Sequence, residues 1–237
     1  MARKMKFEDL VIWENEDYCV INKPPFISTL DDRNDPVNIL SLAREAIEDA
    51  QVCHRLDKET SGVLIVAKNP EAYRHMSIQF ENRTVGKEYH AVADGTHDFQ
   101  NKVVEDKILK LSNGTVRIDR KGKEATTTFN TLVAYKSHTL IECRPLSGRM
   151  HQIRIHLANH GAPISGDVNY GGKYFYLSSI KKKFHLKKET EEQPLLKRIA
   201  LHAHKLTFLT IKGDKMTIEA DYPKDFRVLV EQLEKNK

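Results

Sequence analysis

His54-Arg55-Leu56-Asp57-Lys58-Glu59-Thr60-Ser61 sets a carboxylate among cations on a polar turn, directly before the apolar, β-branched run 62–67. Neighbouring cations favour the ionised form of Asp57, the form that a nucleophile or general base requires. Arg55, two positions away, shares a face with Asp57 if the segment is extended. Thr60 and Ser61 can bond the turn's backbone and hold the carboxylate in place. The plain alternative is an aspartate that merely shapes a turn at a strand entrance.

A second candidate is Tyr89, within Lys87-Glu88-Tyr89-His90-Ala91-Val92. On a strand, Tyr89 and Ala91 share one face. A tyrosine facing a polar cleft can stack on a nucleobase and carry a proton through its hydroxyl, and the alternative is a half-buried sheet tyrosine. The third is Gly148-Arg149-Met150-His151-Gln152-Ile153-Arg154-Ile155-His156-Leu157. On a helix Met150, Ile153 and Leu157 form the core stripe, with Arg154 at its margin. There a guanidinium either snorkels outward or finds a buried anion, and Asp57 is the natural anion if this helix packs beside the strand entrance.

The elements that must position these residues follow from periodicity and stop signals. Short strands are predicted at 10–13 and 18–22, and a polar loop at 29–35. A helix is predicted over 38–50, with Ile39, Leu42, Ala43, Ala46 and Ile47 on one stripe. Residues 62–67 read as a strand buried on both faces. Asn69-Pro70-Glu71 supplies a cap, a first-turn proline and an acidic first turn for a helix to about 82. Residues 87–93 alternate as a strand, and 103–143 read as several strands with polar turns such as Ser112-Asn113-Gly114. A helix from about 149 to 160 ends at Gly161, with Pro163 beyond. Strands return at 200–209 and 216–220, and 224–235 closes as an amphipathic helix. The class is α+β on a mixed, mainly antiparallel sheet.

The 237 residues, 40% apolar, suit one domain spanning 1–237 with a charged surface insertion near 176–194. A net charge of +5 and a pI near 8.9 agree with an RNA partner without requiring one. The insertion carries Lys181-Lys182-Lys183-Phe184-His185-Leu186-Lys187-Lys188, a solvated loop or a phosphate-contacting arm. Three isolated cysteines argue against a disulfide framework or a zinc ribbon. No leader-like or membrane-length apolar run is evident, so a cytoplasmic location is expected. His151, His156 and His160 lack the glutamate of an H-E-x-x-H pattern, so no metal is expected. With no phosphate-binding glycine loop, no nucleotide cofactor is indicated either.

The motifs together resemble the RluA-type pseudouridine synthases. Val20-Ile21-Asn22-Lys23-Pro24-Pro25 is similar to that family's first motif, 54–62 to its second and 87–92 to its third. Residues 148–157 with 161–171 are similar to its longest, and Leu201-His202-Ala203 with Leu206 and Phe208 to its last. The resemblance implies one catalytic domain with flanking helices around a central cleft, and an RNA substrate, ribosomal or transfer RNA. It implies that Asp57 is catalytic, that Tyr89 stacks on the uracil, and that Arg154 pairs with Asp57, Arg149 being the second candidate. Arg55 would fill the space left by the extruded uridine, and His54, Thr60, His151 and Gln152 would line the substrate site. No cofactor or metal is implied; the expected form is a monomer without the family's small N-terminal RNA-binding domain.

Two departures stand out. Where the family writes glycine, an apolar pair and His-Pro, this chain has Phe26-Ile27-Ser28-Thr29-Leu30-Asp31. Where it ends with His-Pro, Leu209-Thr210-Ile211 follow Phe208. The rivals are a non-catalytic RNA-binding protein and a glycosidase or nucleosidase. The latter would admit water and use a second carboxylate, for which Glu59 is the nearest candidate.

Overall fold

In the computed structural model, residues 5–31, 37–181, 184–186 and 190–237 are described, and they fall into two compact units. Unit 1 comprises 1–88 and 203–221; unit 2 comprises 89–202 and 222–237.

In unit 1, strands β1 (Val11–Glu14), β2 (Tyr18–Lys23) and β4 (Ser61–Ala67) lie side by side, each neighbouring pair antiparallel. All seven residues of β4 are buried, as its unbroken apolar run predicts. Two helices frame this unit. Helix α2 (Pro70–Glu81) begins where expected, with the Asn69 side chain accepting from the Ala72 N–H and proline at the first helical position. Helix α1 (Ile39–Ala46) begins at Asn38, whose side chain and Ser41 cap each other reciprocally. It stops four residues short of the predicted Ala50. Gln51–Val52 instead form β3, pairing with Ala67 and Val66 of β4, and an edge pairing outcompetes a further helical turn. The antiparallel pair β10 (Leu201–Leu209) and β11 (Lys215–Glu219) completes the unit, apart from the first two residues of β10. Val20, Val63, Ile65, Met76, Leu206 and Phe208 form its core.

Unit 2 is built on the strand order β5-β9-β8-β6-β7, antiparallel throughout: β5 (Gly86–Asp94, its first three residues counted in unit 1), β9 (His138–Pro145), β8 (Lys123–Ala134), β6 (Lys102–Lys110) and β7 (Val116–Ile118). Helix α3 (Gln152–Asn159) lies on β6, β7, β8 and β9, and α4 (Lys224–Lys235) takes the predicted bounds. Ile153 and Leu157 of α3 and Phe226, Leu229 and Leu233 of α4 join Val92, Phe129 and Ile141 in one core.

Helix α3 starts later than predicted. His151 adopts a left-handed conformation (φ +52°), so Arg149 and Met150 belong to a turn closed by Gln152 N–H to the Arg149 carbonyl. Met150 accordingly leaves the stripe of Ile153 and Leu157 and packs beside Ile108, Val116 and Ala125. Gly166 (φ +82°) brings the chain so close to Arg198 that an added Cβ would lie 2.2 Å from that residue's carbonyl oxygen. Among the described residues no helix is long and apolar enough to cross a membrane.

Candidate active site

The Asp57 turn sits between β3 and β4 and is fastened to the segment following β2. The Thr29 hydroxyl donates to the Leu56 carbonyl at 2.9 Å and accepts from the Leu56 N–H at 3.2 Å. On the other side of Asp57, the Lys58 carbonyl accepts from the Phe26 N–H at 2.8 Å and from the Lys23 ammonium at 3.3 Å. Lys23 is fully buried, and its ammonium also donates to the carbonyls of Pro24 (3.0 Å) and Ile27 (2.9 Å). A charge so enclosed is tolerable only when its protons are placed on acceptors. The half-buried Asp57 is thus carried on a turn whose flanking peptides are both pinned.

Phe26 holds its place at a cost. Its φ is +68°, a conformation worth about 1–2 kcal/mol of strain for a residue with a Cβ, and its ring is 49% exposed. It stands where the resembling motif has glycine, the residue that adopts this conformation without strain.

Thr60 holds the turn differently from the expectation. Its backbone N–H donates to the Asp57 carbonyl at 3.0 Å, whereas its buried hydroxyl has no partner among the described residues. Gly62 (φ +115°) allows β4 to approach β10, since a Cβ there would meet the Ala203 carbonyl oxygen at 2.0 Å. The half-buried His54 accepts the Ile65 N–H at Nε2 (3.3 Å) and lies 5.0 Å from the Phe80 ring. Burial, with Lys87 adding repulsion, pushes its protonation down to about 3, so the ring is neutral and structural in kind. Burial likewise lowers the Lys87 ammonium to about 8, with Arg83 contributing. Arg55 is exposed.

In unit 2, Tyr89 lies half-buried on β5 opposite Cys143, packed against the core. Arg154 is 4% exposed, which overturns the snorkelling alternative. Its Nε and Nη2 donate to the two oxygens of Asp167 at 2.6 and 2.8 Å, and its guanidinium lies 5.0 Å from the centre of the Tyr170 ring. Asp167 thus clasps this fork, an anion the sequence reading had not named beside Asp57. The signal was present in Gly166-Asp167, an acidic residue beside a glycine in the longest motif, but nothing local tied it to position 154. The Tyr170 hydroxyl accepts from the Val116 N–H (2.9 Å) and meets His151 Nδ1 (2.8 Å), which ties His151, Tyr170, Arg154 and Asp167 into one cluster.

Gln152, expected among the substrate contacts, is engaged within the fold. Its carbonyl oxygen accepts from the Ser147 hydroxyl (2.8 Å) and the Arg149 N–H (3.0 Å). Its amide group donates to the Thr126 carbonyl and the Thr127 hydroxyl, both at 2.9 Å. Buried and with its amide capacity spent, it latches the Ser147–Arg149 loop to β8. Arg149 donates from Nε to the Glu124 carbonyl at 3.2 Å. His156 is fully buried, with Nδ1 at 2.9 Å from the Thr127 hydroxyl and Nε2 unpartnered among the described residues. Burial pushes its protonation down to about 4.

The expected arm was only partly placed: positions 182–183 and 187–189 lie outside the described residues. The sequence reading gave no role to Lys23 and Thr29, which pin the Asp57 turn in unit 1, or to Asp167 and Tyr170, which surround Arg154 in unit 2.

A family model described as RNA pseudouridylate synthase matches residues 17–159. The chain is 32% identical over 234 residues to the ribosomal large subunit pseudouridine synthase C of Vibrio vulnificus, an alignment covering 97% of this chain and 69% of that protein. Against the protein of the same name from Vibrio cholerae, 33% identity extends over 179 residues, 74% of this chain and 57% of the relative. Among solved structures, human RNA pseudouridylate synthase domain containing 4 matches with a TM-score of 0.76 at 23% identity, covering 96% of this chain and 94% of that one. That likeness shows the fold.

Proposed function

Because this chain belongs to the RNA pseudouridylate synthase family, we propose that it isomerises particular uridines of structured RNA, ribosomal large-subunit or transfer RNA, with Asp57 as the catalytic carboxylate. The observation carrying the assignment to Asp57 is the double fastening of its turn, by Thr29 on one side and by Phe26 and Lys23 on the other. A reacting carboxylate must be held in one geometry, and pinned flanking peptides supply that through the backbone.

The reaction breaks the bond between uracil N1 and the sugar C1′, turns the base, and joins uracil C5 to C1′. C5 gives up its proton and N1 gains one, so atoms and electrons balance within the substrate. No hydride or external electron is needed, so the reading requires neither metal nor redox cofactor. Asp57 either adds to C1′ or removes the 2′ proton; both routes begin from its ionised form. Tyr89 stacks on the uracil and moves a proton through its hydroxyl. Arg154, its planar fork oriented by Asp167, is the catalytic arginine that the resemblance implies. Arg55, Arg149, His54, Thr60 and His151 shape the surroundings of the bound RNA.

Extrusion of the base from a stem costs a few kcal/mol, which contacts between basic side chains and phosphates offset. The protein is read as a cytoplasmic monomer.

Pseudouridine mapping of total RNA from cells with and without the gene tests the activity. Loss of one or a few sites, restored by the purified protein, is expected. Identical maps would refute it.

A further inference from the structure

Beside the Asp57 turn, on its N-terminal side, unit 1 has a recess of about 220 Å³. Its walls include Arg44 of α1, Tyr73 of α2, Leu30, Leu40, and His54 and Arg55 of the turn itself. Resting on the RNA reading above, we propose that this recess is a second nucleotide subsite. It receives the phosphate and base of a nucleotide neighbouring the target uridine.

Four observations carry it. The first is charge. Arg44 and Arg55 are both exposed, and neither has an acidic partner among the described residues; Arg44 makes a single bond, from Nε to the Ala50 carbonyl at 3.3 Å. That bond fixes the stem of Arg44 and leaves its terminal nitrogens to an outside acceptor. Two guanidiniums on one recess make a site for a phosphate oxyanion.

The second is the aromatic and apolar lining. Tyr73 is half-buried, and its hydroxyl makes no bond among the described residues. Leu30 is 39% exposed, an apolar side chain left facing water unless something covers it. A flat ring between tyrosine and leucine satisfies both, which is how single-stranded nucleic acid is gripped without reading its sequence. The third is rigidity. His54 is held by the Ile65 N–H and by Phe80, so this wall is set before any ligand arrives.

The fourth is position. Arg55 and Asp57 are two residues apart, a span of at most about 7 Å. A nucleotide in the recess is therefore next to, or one removed from, the nucleotide presented to Asp57. The subsite would position the strand, and it touches none of the reacting atoms.

The test uses the whole protein, a dodecamer of oligouridylate for binding, and C5-tritiated total RNA from cells lacking the gene for turnover. Arg44→Gln should weaken oligouridylate binding about tenfold and reduce the log–log salt slope by about 0.7, one phosphate contact of a single strand. Tyr73→Leu should weaken binding about tenfold with the slope unchanged, and Tyr73→Phe should bind as the wild type. On tritiated RNA, Arg44→Gln should raise KM about tenfold and leave kcat unaltered. Melting temperatures equal to wild type establish that each variant is folded. Wild-type affinity and slope in Arg44→Gln would overturn the subsite, as would oligouridylate binding by the wild type that does not respond to salt. An absence of tritium release by the wild type would instead overturn the isomerase reading, and the oligouridylate result would still decide the recess.

Discussion

Arg154 and Arg198 of unit 2 are buried, 4% and 1% exposed, and each fork is clasped through two bonds by one aspartate, Asp167 and Asp225. Arg44 and Arg55 of unit 1 are exposed and have no acidic partner among the described residues. The same side chain serves two ends. Where its charge is neutralised internally it orders the protein, and removing Arg154 strands the buried Asp167. Where its charge is left to solvent it contributes little to folding and is available to a polyanion. Exposure and pairing, more than residue type, separate architecture from recognition here.

The largest expected effect lies outside both groups of arginines, at Asp57. Asp57→Asn should lower tritium release from C5-tritiated RNA by about a thousandfold or more, with RNA affinity and melting temperature near wild type. Appreciable turnover by that variant would end the role assigned to Asp57.

Next in size is the clasp in unit 2. Arg154→Ala should cost about 3–5 kcal/mol in urea unfolding, since Asp167 would remain buried and unpaired. Arg154→Met with Asp167→Asn should recover part of that loss, and Arg154→Lys should recover less because the planar fork is gone. Purely additive effects around the cycle would show that the pair is not coupled in solution.

A smaller effect concerns acid. His156 titrates near 4 when folded because burial disfavours its charged form, against about 6.5 in the unfolded chain. Below about pH 6.5 the unfolded state binds the extra proton. The stability held by the neutral ring is therefore present above that pH and lost as pH falls towards 4. The slope should be at most about 1.4 kcal/mol per pH unit. His156→Gln should flatten the fall of the urea midpoint between pH 6.5 and 4.5. A parallel fall in wild type and variant would contradict this. His54, pushed to about 3 mainly by burial, acts in the same direction.

Smallest of all is the effect of Arg55→Gln on folding. Stability should change by no more than about 0.5 kcal/mol, as for an unpaired surface side chain. A larger loss in calorimetry would mean that Arg55 belongs with the structural arginines after all.

How much of this the sequence carried can be judged element by element. Strand β4 and helices α2 and α4 were legible because their signals are local: an unbroken apolar run, an Asn-Pro cap, an amphipathic stripe. Helix α1 was drawn too long, since only the tertiary pairing of Gln51 and Val52 with β4 ends it at Ala46. The start of α3 was drawn too early, since nothing in the letters announces the left-handed His151. Among site residues, Asp57 and Arg154 stood out by type and spacing. Asp167 as a clasp of Arg154 did not, since it lies 13 residues away and only folding brings it there. Lys23 read as the end of a strand, and its place beneath the Asp57 turn depends on carbonyls from Pro24, Ile27 and Lys58.

The burial of Lys23 has a use in covalent footprinting. An amine with no solvent exposure, whose protons are held by peptide carbonyls, is closed to acylating reagents while the turn stays shut. Surface lysines such as Lys181 would label at once and set the reagent's clock. The time at which peptide mass spectrometry first finds Lys23 modified would then measure how often the floor beneath Asp57 opens, and whether bound RNA slows that opening.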